Sequence, residues 1–145
     1  MTDENLNSEK KTVLFLCTGN SCRSQIAEAI VNEKLGDTWQ AFSAGTKPTG
    51  YVHPLATQVL QEIGINQTGK SKNISQYIDQ DFDLVVTVCD SAQEDCPLWL
   101  RVNPQVHLAF EDPAAIDGDE QGRLDKFRQV RDDMTTKIPG LLARY

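Results

Sequence analysis

Apolar residues along this chain alternate between two patterns: short unbroken runs, and longer stretches in which they recur every three or four positions. In the run 12–17, Val13-Leu14-Phe15-Leu16-Cys17 follows Thr12 without a polar break, as expected of a strand covered on both faces of a parallel sheet. Over 24–35, Ile26, Ala27, Ile30, Val31 and Leu35 make one helical stripe, and Gly36 stands where a helix-ending glycine belongs. Residues 39–44 read as a second strand. His53-Pro54 opens a second helix, with Leu55, Val59, Leu60 and Ile63 on one face and Gly64 after it. A short helix is expected over 74–78, buried strands over 83–88 and 105–110, and a last helix over 124–138 with Leu124, Phe127, Met134 and Ile138 inward. Pro139-Gly140 is expected to end or kink that helix. Trp39, Trp99 and His107 read as packing or strand residues, and His53 as the start of its helix.

Strands alternating with helices predict an α/β three-layer sandwich with a parallel sheet, and four strands joined by right-handed crossovers most simply give the order 2-1-3-4. In such sheets ligands bind beyond the carboxyl ends of the strands, at the switch point between strands 1 and 3. Cys17 ends the first strand, Cys89 ends the third and Asp112 follows the fourth, so topology alone gathers three reactive groups at one rim.

The chain has 145 residues, room for one domain at roughly 100–200 residues each, with positions 1–10 read as a mobile tail. The formal charge of −7 argues against nucleic acid or an acidic membrane as partner, so an anion must be bound by local geometry against the overall field. The five-residue apolar core after Lys10-Lys11 is shorter than the roughly 7–15 residues of a signal peptide, which points to a cytoplasmic protein whose four cysteines rest as thiols.

The segment Cys17-Thr18-Gly19-Asn20-Ser21-Cys22-Arg23-Ser24 lies between the first strand and the first helix. Small residues let such a loop curl until successive N–H groups point inward as an anion nest, and the following helix adds its positive end. Arg23 supplies a planar fork for two oxygens of a tetrahedral anion. The same field favours thiolate at Cys17, making it a nucleophile, and the Ser24 hydroxyl can donate to that sulfur. Thr18, Gly19, Asn20, Ser21 and Cys22 would bind the anion through their backbone, with the Cys22 thiol packed rather than reactive.

Cys89 and Cys96 are seven positions apart. Zinc would require C-x4-C and C-x6-C pairs, longer than the usual two-to-four-residue ligand spacing, and two chance buried thiols are the plainer alternative. If the intervening residues are helical, the two Cα atoms stand about 10 Å apart, whereas a disulfide needs about 4.4–6.8 Å. A bond between them would require the segment to unwind, which makes 89–97 a candidate redox-switched segment.

The stretch 13–29, together with Ser43-Ala44-Gly45-Thr46, Leu84-Val85-Val86-Thr87-Val88-Cys89 and Phe110-Glu111-Asp112-Pro113-Ala114, resembles the thioredoxin-coupled arsenate reductases, which share the fold of the low-molecular-weight protein tyrosine phosphatases. The resemblance implies that Cys17 attacks arsenate held by the loop and Arg23, that Asp112 acts as general acid, that Cys89 and then Cys96 resolve the oxidised sulfur, and that thioredoxin reduces the final disulfide. Glutathione with glutaredoxin, or mycothiol, serves some relatives as the thiol donor. A monomer is expected and no bound cofactor is called for. Some members of the family hold a potassium ion behind the loop; Asn20, Glu28 and Ser43 could contribute oxygens, but Lys70-Ser71-Lys72-Asn73 brings lysines and no carboxylate, so no metal is expected. Two other functions compete. A phosphatase would use Cys17 and Arg23 alike, but Ala114-Ala115 follow Asp112-Pro113 where the phosphatases carry ring-stacking tyrosines. A non-enzymatic oxyanion binder or redox sensor is the other.

Overall fold

The computed structural model describes residues 10–66, 69–115 and 118–145; the expected tail falls almost wholly outside them. Four strands, β1 (Lys11–Cys17), β2 (Trp39–Gly45), β3 (Leu84–Thr87) and β4 (Gln105–His107), form one sheet of order β2-β1-β3-β4. All three pairings are parallel, as the alternation of elements predicts. Val13, Leu14, Phe15 and Leu16 of the central β1 are wholly buried, which explains their unbroken apolar run.

The helices are α1 (Arg23–Lys34), α2 (Pro54–Gln61), α3 (Asp90–Asp95) and α4 (Glu120–Leu142), with 3-10 turns at Ile74–Tyr77 and Pro113–Ala115. Ile26, Ala27, Ile30 and Val31 of α1 are buried as their spacing requires, and α1, α2 and α4 pack on one another. The His53 ring caps α2, its Nδ1 accepting from the Leu55 N–H at 3.1 Å. Arg131 of α4 is buried but not stranded: its Nη1 donates to the Val59 carbonyl and to Glu62 Oε1, both at 2.8 Å. Arg128 holds the same carboxylate from outside at 2.7 Å and is the main cause of its low pKa, about 2.

Two expectations need correcting. The last helix does not stop at Ile138; it runs through Pro139 to Leu142. Proline removes a single N–H there, while Ile138, Leu141 and Leu142 continue the buried stripe beyond it, and that burial outweighs the lost hydrogen bond. The third and fourth strands are also shorter than 83–88 and 105–110. Pairing nevertheless continues past both, since the N–H groups of Leu108 and Phe110 donate to the carbonyls of Thr87 and Val88. Cys89 therefore lies just beyond β3, at the start of α3. None of the described helices is long and apolar enough to cross a membrane.

Candidate active site

The loop from Cys17 to Ser24 turns its carbonyls away from its hollow. The oxygens of Cys17, Thr18, Gly19 and Ser21 accept from the N–H groups of Thr46, Lys47, Thr49 and His53. The Ser71 hydroxyl donates to the Gly19 carbonyl and the Gln25 amide to that of Asn20. Turning these acceptors outward frees the loop's N–H groups for the interior, the electrostatic requirement of an anion nest. Asn20 makes the reversal with φ +48°, a left-handed conformation that asparagine tolerates better than most residues. Gly45 is required where β2 meets the loop: a Cβ there would stand 2.5 Å from the Thr18 oxygen and 3.0 Å from the Asn20 nitrogen.

Cys17 is buried at the floor of the loop. The Asn20 N–H donates to its Sγ at 3.1 Å and the Ser24 Oγ lies 2.8 Å away. Asn20 Nδ2 donates to that same Oγ at 2.7 Å, so the serine's own proton is directed at the sulfur. Two donors thus converge on one sulfur. Burial, reinforced by the charges of Asp112 and Cys17, pushes the Cys22 thiol up to about 12.

A small cavity of about 70 Å³ opens above the loop, lined by Cys17, Gly19, Ser21, Cys22, Arg23 and Asp112. The Arg23 guanidinium is braced at the rim by the Phe110 carbonyl at 3.1 Å and stands 3.7 Å from Asp112 Oδ2. Asp112 is two-fifths exposed, and its other oxygen accepts from the Ala114 N–H at 3.0 Å, so it caps its turn and faces the cavity together. A wider groove of about 520 Å³ runs between Glu111 and α4. It is lined by Glu111, Asp132 and Asp133 against Lys126 alone and bears none of the reactive groups; its charge repels an anion.

The second cysteine pair brackets α3, with Cys89 before its first residue and Cys96 after its last. The Thr18 hydroxyl lies 3.4 Å from Cys89 Sγ, joining that thiol to the loop. All four cysteines are free thiols and buried. Burial pushes the Cys96 thiol up, against the opposing pull of Arg101 and Gln105. His107, read from sequence as a strand residue only, does more: its ring bonds Thr87 Oγ1 at 2.7 Å and Asp90 Oδ1 at 2.8 Å, fastening the first residue of α3 to β4. Sequence reading also missed Gln25 and Ser71 as braces of the loop; a glutamine in the first turn of an otherwise apolar stripe was the available signal for the first.

The order β2-β1-β3-β4, with a curled loop between β1 and α1 and a buried cysteine at its floor, defines a phosphatase-like α/β fold. The chain belongs to the low molecular weight phosphotyrosine protein phosphatase family, whose model matches residues 12–145. Within that family it is similar to the arsenate reductase of Halalkalibacterium halodurans, 43% identical over 130 residues, covering 89% of this chain and 93% of that one. Among solved structures it resembles the arsenate reductase of Archaeoglobus fulgidus (TM-score 0.73, 30% identity, 90% of this chain and 98% of that one). A low molecular weight phosphotyrosine phosphatase from Vibrio cholerae shares the fold (TM-score 0.76, 21% identity, 92% and 95%).

Proposed function

We propose that this protein reduces arsenate to arsenite through three of its thiols and is returned to the dithiol state by thioredoxin. The observation that carries the reading is the second thiol at the mouth of the anion loop: Cys89 Sγ lies 3.4 Å from the hydroxyl of Thr18, the residue next to Cys17. A phosphate-transfer enzyme has no use for it; reduction of arsenic by two electrons needs a second thiol, and Cys89 supplies one within the protein. Relatives named arsenate reductase support the choice of substrate.

The steps balance. Cys17 thiolate attacks arsenic in the cavity, Arg23 and the loop N–H groups hold the remaining oxygens, and Asp112 gives a proton to the oxygen that leaves as water. Cys89 thiolate then attacks Cys17 Sγ; the sulfur–arsenic pair of electrons stays on arsenic, which departs as arsenite, and a Cys17–Cys89 disulfide forms. Cys96 attacks Cys89 and frees Cys17, leaving a Cys89–Cys96 disulfide. With α3 folded its two flanking Cα atoms stand about 10 Å apart, so this last exchange unwinds the helix and presents the disulfide to a reductant.

Arsenate turnover with thioredoxin, thioredoxin reductase and NADPH tests the reading. Wild type is expected to turn over, and Cys17→Ser, Cys89→Ser and Cys96→Ser each to abolish multiple turnover. Phosphate-ester hydrolysis that survives Cys89→Ser and Cys96→Ser, with no arsenate reduced by wild type, would instead identify a phosphatase. A slow phosphatase side reaction follows from the loop itself, which binds tetrahedral oxyanions of similar shape alike.

A further inference from the structure

Behind the loop a group of oxygens converges on one ammonium. Lys72 Nζ lies 3.0 Å from the Lys70 carbonyl, 3.3 Å from Ser43 Oγ and 3.7 Å from Glu28 Oε1. Ser43 Oγ in turn donates to Glu28 Oε1 at 2.5 Å. The lysine and glutamate side chains are only 18% and 14% exposed, so the carboxylate is held where water screens it little. The assembly leads to the nucleophile. The Lys72 N–H donates to Asn20 Oδ1 at 2.7 Å, Asn20 Nδ2 donates to Ser24 Oγ, and Ser24 Oγ meets Cys17 Sγ. The Gly45 N–H fixes the Lys72 carbonyl at 2.8 Å, tying the same residue to the end of β2.

We propose that Lys72 is a positioning residue whose ammonium serves as the loop's built-in cation, so that oxyanion binding at Cys17 needs no monovalent metal ion. A carbonyl, a hydroxyl and a carboxylate converging on one point make an alkali-cation cage, and here a covalently tethered charge already fills it. A potassium ion among these oxygens would stand beside the ammonium and be repelled by it, so the residues present do not fit that ion. Burial raises the Glu28 carboxyl, while the Ser43 hydrogen bond and then the Lys72 charge oppose the rise. The ammonium also adds positive field behind an anion site in a chain whose formal charge is −7. The proposal rests on the loop as an oxyanion site and not on which reaction follows.

Protection of Cys17 from iodoacetamide by inorganic phosphate, a tetrahedral anion that thiols do not reduce, reads anion binding without turnover when the Cys17 peptide is followed by mass. It therefore works whether the protein is a reductase or a phosphatase. In wild type the protection constant is expected to agree within about twofold in potassium, sodium or tetramethylammonium chloride at about 0.1 M ionic strength. Lys72→Ala should weaken protection about tenfold, because it leaves a buried carboxylate unpaired. Potassium should restore much of that loss over tetramethylammonium. Lys72→Met, which fills the space with methylenes, should bind as weakly and gain nothing from potassium, and Lys72→Arg should recover most of the affinity. Thermal unfolding supplies a readout independent of the anion. Glu28→Gln in the Lys72→Met background is expected to raise its melting temperature, and a lowered one would count against an uncompensated carboxylate. Potassium that tightens wild-type protection several-fold over tetramethylammonium, or a Lys72→Ala protein that binds phosphate as tightly as wild type, would overturn the proposal.

Discussion

Residues 17–24 and residues 89–96 each leave the carboxyl edge of a central strand and each carry two cysteines, yet they are held in opposite ways. The first is buried and braced from outside, its carbonyls tied to Thr46, Lys47, Thr49 and His53. The second is six residues of helix between two thiols, with only Ala92 buried. Its shortest side-chain anchors are His107 on Asp90, and Arg101 Nε on the Cys96 carbonyl at 3.0 Å. An isolated helix this short is far below the roughly 12–15 residues that stand alone in water. A binding loop must be preorganised because its amides act in the transition state; a relay that carries a disulfide outward must come apart. In the proposed reaction the rigid segment binds and the loose one delivers.

The sharpest way to break this contrast is to remove geometry from the rigid side while keeping charge. Arg23→Lys retains the cation but loses the two-pronged donor, and arsenate reduction is expected to fall about 10²–10³-fold in kcat/KM; a loss under threefold would mean that the guanidinium plane is not used. Gly45→Ala tests rigidity from a residue that touches no substrate. The new Cβ meets Thr18 and Asn20 backbone, so stability should drop by about 1–3 kcal/mol, with weaker phosphate protection of Cys17 in the surviving fold. Unchanged melting and protection would show that the loop yields freely.

On the loose side pH separates the two exchanges. Burial raises the Cys96 thiol, so at neutral pH it is mostly protonated and its thiolate fraction climbs roughly tenfold per pH unit until its pKa is reached. In a rapid-quench single turnover, lowering the pH should let the Cys17–Cys89 species accumulate and raising it should drain that species into Cys89–Cys96. Accumulation that grows with pH instead would reverse the assignment of Cys96 as attacking thiol. The smallest effect belongs to His107→Ala. Losing one anchoring hydrogen bond, about 1 kcal/mol, should raise the open population of α3 and the alkylation rate of Cys96 about fivefold. A rate unchanged, with exchange protection across 89–100 identical in the thiol and disulfide forms, would remove α3 as the moving part.

Much of this was legible in the residues. Unbroken apolar runs gave the buried strands, helical spacing gave α1 and α2, and strand–loop–helix context singled out Cys17 and Arg23, which the fold brings to one cavity with Asp112, and Ser24, which is buried against the Cys17 sulfur. What stayed hidden was contact between distant positions. The resemblance set the lysines of 70–73 beside Glu28 and Ser43, and the structure bears this out for Lys72, but nothing local to Ser71 announces that it braces Gly19; that pair is decided by how the 70–73 strand-like stretch lies beside β2, where Gly45 bridges Asn73. His107 looked like a strand residue because its partner, Asp90, belongs to a helix too short to have a periodicity. Pro139 misled for the reverse reason, a strong local signal outweighed by Ile138, Leu141 and Leu142 in the core.

The most direct test of the relay is mass mapping of cysteine pairs after one anaerobic turnover with arsenate and no external thiol. Wild type is expected to yield a Cys89–Cys96 disulfide with Cys17 free, and Cys96→Ser to stop at Cys17–Cys89 with about one arsenite released per chain. Arsenite formed with no new disulfide, or with Cys22 as Cys17's partner, would contradict the account.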